Sequence, residues 1–377
     1  MTMLLTADRV LTPVRDLQPG WVHVDGDRIA DLGPGPPPRT PDLELGDLTV
    51  VPGYVDAHVH GGGGAAFGPG GAEAAARVVN AHLAHGTTTM MASLVTDASE
   101  SLARAVAELA VLVEDGLLAG VHLEGPWLSP AHKGAHDPAL LTHPTPQQID
   151  ALVAAGRGQL RMVTLAPELP GGLEAIARLS GHGVVVAIGH TDATYDQTRA
   201  AIDAGATVGT HVFNAMRALH HREPGPIVAL LEEEGVHVEL VADGVHLHPA
   251  ALRLAATMKP HDFVLVTDAM AAAGAADGDY RLGPLAVEVR DGVARLADSG
   301  AIAGSTLTMD EAVRHTVRIV GIPLNQAVRA ATSRPAAMLG LSGSVGSLRI
   351  GLAADLLVLD SQLRVQRVMR RGAWVDL

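Results

Sequence analysis

Two periods of hydrophobicity divide the chain. From residue 1 to about 51, apolar positions come in short or alternating runs at 3–5, 21–24 and 28–32. Pro19-Gly20, Asp25-Gly26 and a Pro/Gly loop at 33–38 separate them. Such alternation between turn dipeptides predicts small β-strands. From Pro52 the texture becomes strand, loop, helix, repeated. Apolar runs end near His60, Val95, Glu124, Ala166, His190, Asn214, Asp243 and Asp268. Ala-rich stretches with helical spacing lie between them, at 72–84, 99–114, 194–204 and 249–258. Eight consecutive βα units predict a (β/α)8 TIM-type barrel rather than an open doubly wound sheet.

Two insertions interrupt the repeat. Residues 127–146 follow the third strand, and 270–305 follow the eighth with hairpin-like pieces at 285–289 and 293–296. Long loops at the C-terminal ends of strands are where substrate contacts gather. Helices at 309–320 and 323–339 are expected to close the barrel. After Gly346 the β texture returns at 348–351, 354–359 and 365–368. The expected organisation is a small β-sandwich built from both chain ends, 1–51 and 346–377, around a barrel spanning 52–345.

Composition narrows the chemistry. There is no cysteine, which excludes disulfides and thiolate metal sites. Any metal must sit on histidine and carboxylate. Lysine occurs only at 133 and 259, neither at the end of an apolar run, so a carbamylated bridging lysine is not expected. A formal net charge of −14 argues against non-specific nucleic-acid binding. No apolar run reaches the length of a membrane span, and no basic, long-cored signal sequence opens the chain. A cytoplasmic location is therefore expected. Gly61-Gly62-Gly63-Gly64 is glycine-rich but lacks the Lys-Ser/Thr of a P-loop.

The strand ends carry the candidate chemistry. His58 and His60 are two residues apart, so in a strand both imidazoles face one side. Glu124, His190, His211 and Asp268 close four further apolar runs. One buried His or Asp is ordinarily a hydrogen-bonded core residue. Five strand ends with such groups converging on one rim would desolvate and repel one another unless a cation lies between them. A thiolate-free set of His and carboxylate suits zinc, iron, manganese or cobalt. Asp243 and Asp56 sit beside these positions as supporting residues. His23, His82, His85, His182, His237, His261 and His315 fall away from the rim and are read as structural.

These motifs resemble the amidohydrolase superfamily and, within it, the N-acetylglucosamine-6-phosphate deacetylases. The resemblance is carried, in order along the chain, by Pro52 to His60, Gly86-Thr87-Thr88-Thr89, His122-Leu123-Glu124-Gly125-Pro126-Trp127-Leu128 and Lys133-Gly134-Ala135-His136. It continues through Gly189-His190-Thr191, His211-Val212-Phe213-Asn214-Ala215-Met216, Arg222-Glu223-Pro224-Gly225, Ala242 to His246 and Thr267-Asp268-Ala269. Leu-Glu-Gly-Pro with Phe-Asn-Ala-Met is specific to that family; the His-x-His is general to the superfamily. The resemblance implies that Glu124, His190 and His211 hold a principal divalent metal, zinc first among the candidates. His58 and His60 would complete a second site bridged through Glu124, giving one or two ions per subunit. Asp268 would be the catalytic acid/base, and His136 would contact the sugar and polarise the amide. Asn214, Ala215, His246 and Arg222 would meet the substrate phosphate. The arginine would come from a neighbouring subunit, which implies a homodimer. The expected partner is a small phosphorylated amino sugar. No motif reads one hydroxyl epimer from the other, so N-acetylgalactosamine 6-phosphate stays open as a substrate. A cyclic-amide hydrolase would be expected to carry a strand-end lysine, which is missing. A non-catalytic barrel acting as an interaction protein would be expected to have lost ligands that are all present here.

Overall fold

The computed structural model describes residues 2–68 and 70–376. Eight parallel strands form one sheet in sequential order: β1 (Tyr54–Asp56), β2 (Thr87–Val95), β3 (Gly120–Glu124), β4 (Leu160–Leu165), β5 (Val185–Ile188), β6 (Ala206–Gly209), β7 (His237–Val241) and β8 (Phe263–Val266). The ring closes just beyond the strand ends. The Asp268 N–H donates to the His58 carbonyl at 2.9 Å and the His60 N–H to the Ala269 carbonyl at 2.8 Å, around a parallel bridge between Val59 and Ala269. Closure thus falls on the same rim as the candidate residues.

Seven helices follow the first seven strands: α1 (Gly71–Leu83), α2 (Ser99–Glu114), α3 (Pro146–Gly156), α4 (Gly172–Gly181), α5 (Tyr195–Asp203), α6 (Gly225–Glu232) and α7 (Pro249–Met258). They cover the outer face of the barrel, so the strands are buried on both sides and read as apolar runs. Leu123, Val163, Val186, Leu240 and Leu265 are wholly buried in one continuous core. After β8 comes α8 (Met309–His315), continued by a π-helical turn over Thr316–Val320.

The single helix expected at 323–339 is instead two, Leu324–Ala330 and Ser333–Met338. Pro335 explains the break: it has no N–H to give and its ring crowds the carbonyl four residues back, so it fits only near a helix start. The insertion after β8 is a three-stranded antiparallel sheet. Its first strand, Gly278–Leu282, pairs with Leu285–Arg290 and is absent from the hydrophobic pattern because it is mostly exposed.

Two further sheets use the chain ends. One is four-stranded, formed by Thr2–Ala7, Gly20–Asp25, Arg28–Pro34 and Leu43–Glu44. The other is six-stranded, and in it Leu356–Leu359 pairs antiparallel with Thr49–Pro52. Met3, Leu5, Val22 and Ile29 of the first share a core with Val50, Leu356, Val358 and Met369 of the second. Strand Thr49–Pro52 runs almost directly into β1 and ties this core to the barrel. No helix among the described residues is long and apolar enough to cross a membrane.

Candidate active site

The cluster is assembled by the turns that leave the strands. Glu124 is the last residue of β3. His190, His211 and Asp268 were expected to end strands; each lies two residues beyond one, with φ of 48°, 26° and 49°. The left-handed region costs a residue with a Cβ about 1–2 kcal/mol, so three of the converging side chains sit on strained backbone. Phe213 and Ala215, at φ 82° and 48°, extend this irregular path after β6, which ends at Gly209 rather than near Asn214. His58 and His60 flank the bridging residue Val59, and their Nε2 atoms are 3.0 Å apart.

Two groups of buried donors result, His58–His60–Asp268 and Glu124–His190–His211, each with its ligand atoms within 4.8 Å of one another. Glu124 joins them. Its Oε1 is 2.9 Å from His190 Nε2 and 3.0 Å from His211 Nε2, while its Oε2 is 3.2 Å from His60 Nε2. Asp268 Oδ1 lies 3.3 Å from His60 Nε2 and 3.5 Å from His58 Nε2.

The rings are fixed from behind. His58 Nδ1 meets the Glu239 carboxylate at 3.1 Å, His60 Nδ1 the Ser93 carbonyl at 3.1 Å and His190 Nδ1 the His132 carbonyl at 2.9 Å. An acceptor at Nδ1 keeps the proton there and aims the Nε2 lone pair inward. Three imidazole lone pairs and two carboxylates therefore point into one small volume. That donor set fits a divalent cation, and the backing acceptors are the arrangement a ligating histidine needs.

The electrostatics agree. Burial opposes charge on His58, but Glu124, Asp268 and Glu239 overcome it and raise its pKa well above the usual range. Burial likewise opposes charge on His60, and Asp268 with Glu124 lifts it to about 8. Burial would push the Glu124 and Asp268 carboxyls up; His58 beside both, with His190 beside Glu124, holds them well below the ordinary range. The carboxylates demand positive charge among them, from protons or from a metal.

His136 reaches the cluster from the first insertion. The Ser129 N–H donates to the His190 carbonyl at 2.8 Å, and His132 Nε2 lies 3.1 Å from Asp192 Oδ1. Both Asp192 oxygens in turn accept from Arg217, from Nη2 at 2.9 Å and from Nε at 3.0 Å. Gly134, at φ +53°, lets the loop pass where a Cβ would lie 2.9 Å from His190 Cε1. The Thr96 N–H donates to His136 Nδ1 at 3.3 Å, leaving the proton on Nε2, 3.4 Å from Glu124 Oε2. Burial pushes His136 down to about 4, so it is a neutral donor at physiological pH.

The remaining expected residues divide. His246 is nearly buried, bonds Asp243 through Nδ1 at 2.7 Å and feels the charge of Asp268. Asn214 and Ala215 are half-buried on the turn after His211, and Asn214 Nδ2 donates to the His211 carbonyl at 3.2 Å. Arg222 does not join the cluster of its own chain. It is exposed, donates from Nη1 to His221 Nε2 at 2.8 Å and lines a surface depression of about 300 Å³ with Arg217, Thr194 and Tyr195.

Two polar groups escaped the sequence reading. Glu239, wholly buried in mid-β7, backs His58 and accepts from the His211 N–H at 3.4 Å. The signal was a carboxylate inside Val238-Glu239-Leu240-Val241. His122 forms a buried chain with Ser93 Oγ and Thr164 Oγ1, both at 2.9 Å, beneath the cluster.

Comparison with known proteins follows this geometry. Residues 49–375 match the model of the amidohydrolase family. An N-acetyl-D-glucosamine-6-phosphate deacetylase from Mycobacterium smegmatis, solved as an aspartate-to-alanine mutant in complex with N-acetyl-D-glucosamine-6-phosphate, is 53% identical over 99% of each chain, with a TM-score of 0.97. An N-acetylgalactosamine-6-phosphate deacetylase from Escherichia coli O157:H7 is 39% identical over 99% of both chains. An N-acetylglucosamine-6-phosphate deacetylase from Homo sapiens is 37% identical over 99% of this chain and 92% of its own length.

Proposed function

The chain belongs to the amidohydrolase family, and on that premise we propose that it hydrolyses the acetamide of N-acetylglucosamine 6-phosphate to glucosamine 6-phosphate and acetate. The observation that carries this reading is the convergence of His58, His60, Asp268, Glu124, His190 and His211 on one barrel rim, with a neutral His136 donor beside them. Identity of 53% to a deacetylase of the gluco sugar supports that epimer.

Glu124, His190 and His211 would hold the principal ion, zinc first among zinc, iron, manganese and cobalt. His58 and His60 would hold a second, and the Glu124 carboxylate reaches both groups of ligands. When bound, a divalent ion supplies Lewis acidity, polarising a carbonyl and bringing the pKa of a water toward about 7. Asp268 accepts the proton of the attacking water and returns it to the amine nitrogen, which is too basic to leave unprotonated. His136 donates its Nε2–H to the amide oxygen as negative charge develops there. His246, Asn214 and the backbone at Ala215 orient the phosphate. Arg222, exposed in its own chain, completes phosphate binding in the partner of a homodimer, with a guanidinium fork matched to phosphate oxygens. The enzyme works in the cytoplasm, without nucleic-acid or membrane partners.

The test is acetate release by the zinc-loaded protein from N-acetylglucosamine 6-phosphate, its galacto epimer and unphosphorylated N-acetylglucosamine. Turnover of the phosphorylated gluco sugar well above the other two is expected. Inertness toward both sugar phosphates, with zinc, iron, manganese or cobalt, sinks the assignment.

A further inference from the structure

A groove of about 1540 Å³ runs between α1, α2 and the three-stranded sheet inserted after β8. Its inner end is at His60 and Thr96, the latter holding His136 Nδ1. Phe67, Leu94, Leu282 and Val287 form apolar walls. The outer rim mixes Arg77 and Arg104 with Glu73 and Glu108. A rim of both signs selects no ion, and the apolar depth favours hydrocarbon.

The position of the groove matters for the amide. It touches the cluster on the side of β1, β2 and β8, whereas Asn214, Ala215 and His246 follow β6 and β7, and β6 lies four strands round the ring from β2. A secondary amide is planar and trans, so its two carbon substituents leave the C–N bond in opposite directions. With the sugar phosphate toward β6 and β7, the acyl substituent is directed to the inner end of the groove. A methyl group fills little of a space larger than the about 300–1,000 Å³ of an ordinary small-molecule pocket.

We infer that this groove is an acyl subsite, and that uncharged straight-chain N-acyl groups longer than acetyl are bound there and hydrolysed. The inference rests on the proposed reading of the active site. The reaction is the same: the water oxygen bonds to the acyl carbon as the C–N bond breaks, one water proton passes to the amine and the carboxylic acid loses the other.

The experiment compares N-acetyl-, N-propionyl-, N-butyryl- and N-hexanoyl-glucosamine 6-phosphate by amine release from the zinc-loaded full chain. Ala286→Trp and Ala105→Trp, at exposed and half-buried positions on facing walls of the groove, are run beside it. The wild type is expected to keep kcat/KM for butyryl within about ten-fold of acetyl, where a site closed around a methyl group loses about ten-fold or more per methylene. Each tryptophan should lower the butyryl and hexanoyl values by about ten-fold or more and leave the acetyl value within about two-fold. Acetyl turnover with a loss of about 100-fold or more at butyryl overturns the inference alone. So does acceptance of long chains that neither tryptophan diminishes. If no substrate is turned over, the deacetylase reading falls and takes the inference with it.

Discussion

The two histidine pairs of the rim are held by different means. His58 and His60 lie next to a β-bridge, wholly or nearly buried, and the Glu239 carboxylate lies 3.1 Å from His58 Nδ1. His190 and His211 sit on left-handed turns; a backbone carbonyl orients His190, and His211 Nδ1 has no partner among the described residues. The first pair is set by a backing carboxylate beside the closing bridge, the second by loop geometry and local strain. A carboxylate behind an imidazole makes it a stronger electron donor than a carbonyl does. The two halves should therefore differ in how they respond to loss of a supporting group.

The largest effect should come from the acid shared by the first half. Asp268→Asn keeps shape and removes the proposed proton acceptor, and kcat should fall by about 10²–10⁴-fold with KM little changed. Steady-state kinetics decide it, and a change confined to KM would demote Asp268 to a binding role. His136→Phe removes the donor that the first insertion brings in, and should lower kcat by about 10²–10³-fold. Retained kcat would show that the metal alone stabilises the oxyanion. Glu239→Gln should weaken the His58–His60 metal by about 10–100-fold and leave the other almost untouched. Chelator competition reads both affinities, and equal loss at both would erase the distinction between the halves.

The smallest effect concerns His82 of α1, which supports the stretch following His60. Its Nε2–H donates to the Gly61 carbonyl at 2.9 Å, and Gly62 passes so close that a Cβ would meet the ring at 2.7 Å. Burial lowers its pKa to about 4, against about 6.5 in an unfolded chain. The unfolded state then binds more protons between those values. Stability contributed by neutral His82 is present above about pH 6.5 and is lost as pH falls toward 4, by at most about 1.4 kcal/mol per pH unit. Urea unfolding from pH 7 to 5 should show a shallower acid loss in His82→Leu than in the wild type. An unchanged slope would assign the acid sensitivity to other groups, His136 foremost.

Much of this was legible beforehand, for physical reasons that differ by region. Parallel strands covered on both faces must be apolar runs, so β3 and β8 announce themselves, and a charge at such a run's end, as at Glu124, stands out. Glu239 did not stand out, because one acid within an apolar stretch carries no period of its own. The left-handed turns at His190, His211 and Asp268 were invisible because only glycine advertises positive φ in a sequence. Strand Gly278–Leu282 was missed since an exposed strand need not alternate. Arg222 shows a further limit: an exposed loop arginine carries no pattern that places it, and it lies outside the cluster of its own chain.

The most direct test counts metal. The account makes Glu124 the carboxylate common to both donor groups, with Oε1 toward His190 and His211 and Oε2 toward His60. Zinc titration of the wild type and of Glu124→Gln, read by calorimetry and by elemental analysis after gel filtration, should give two ions per chain in the first and none retained in the second, with the fold intact by circular dichroism. A Glu124→Gln protein that keeps two tightly bound ions would contradict the shared-carboxylate centre.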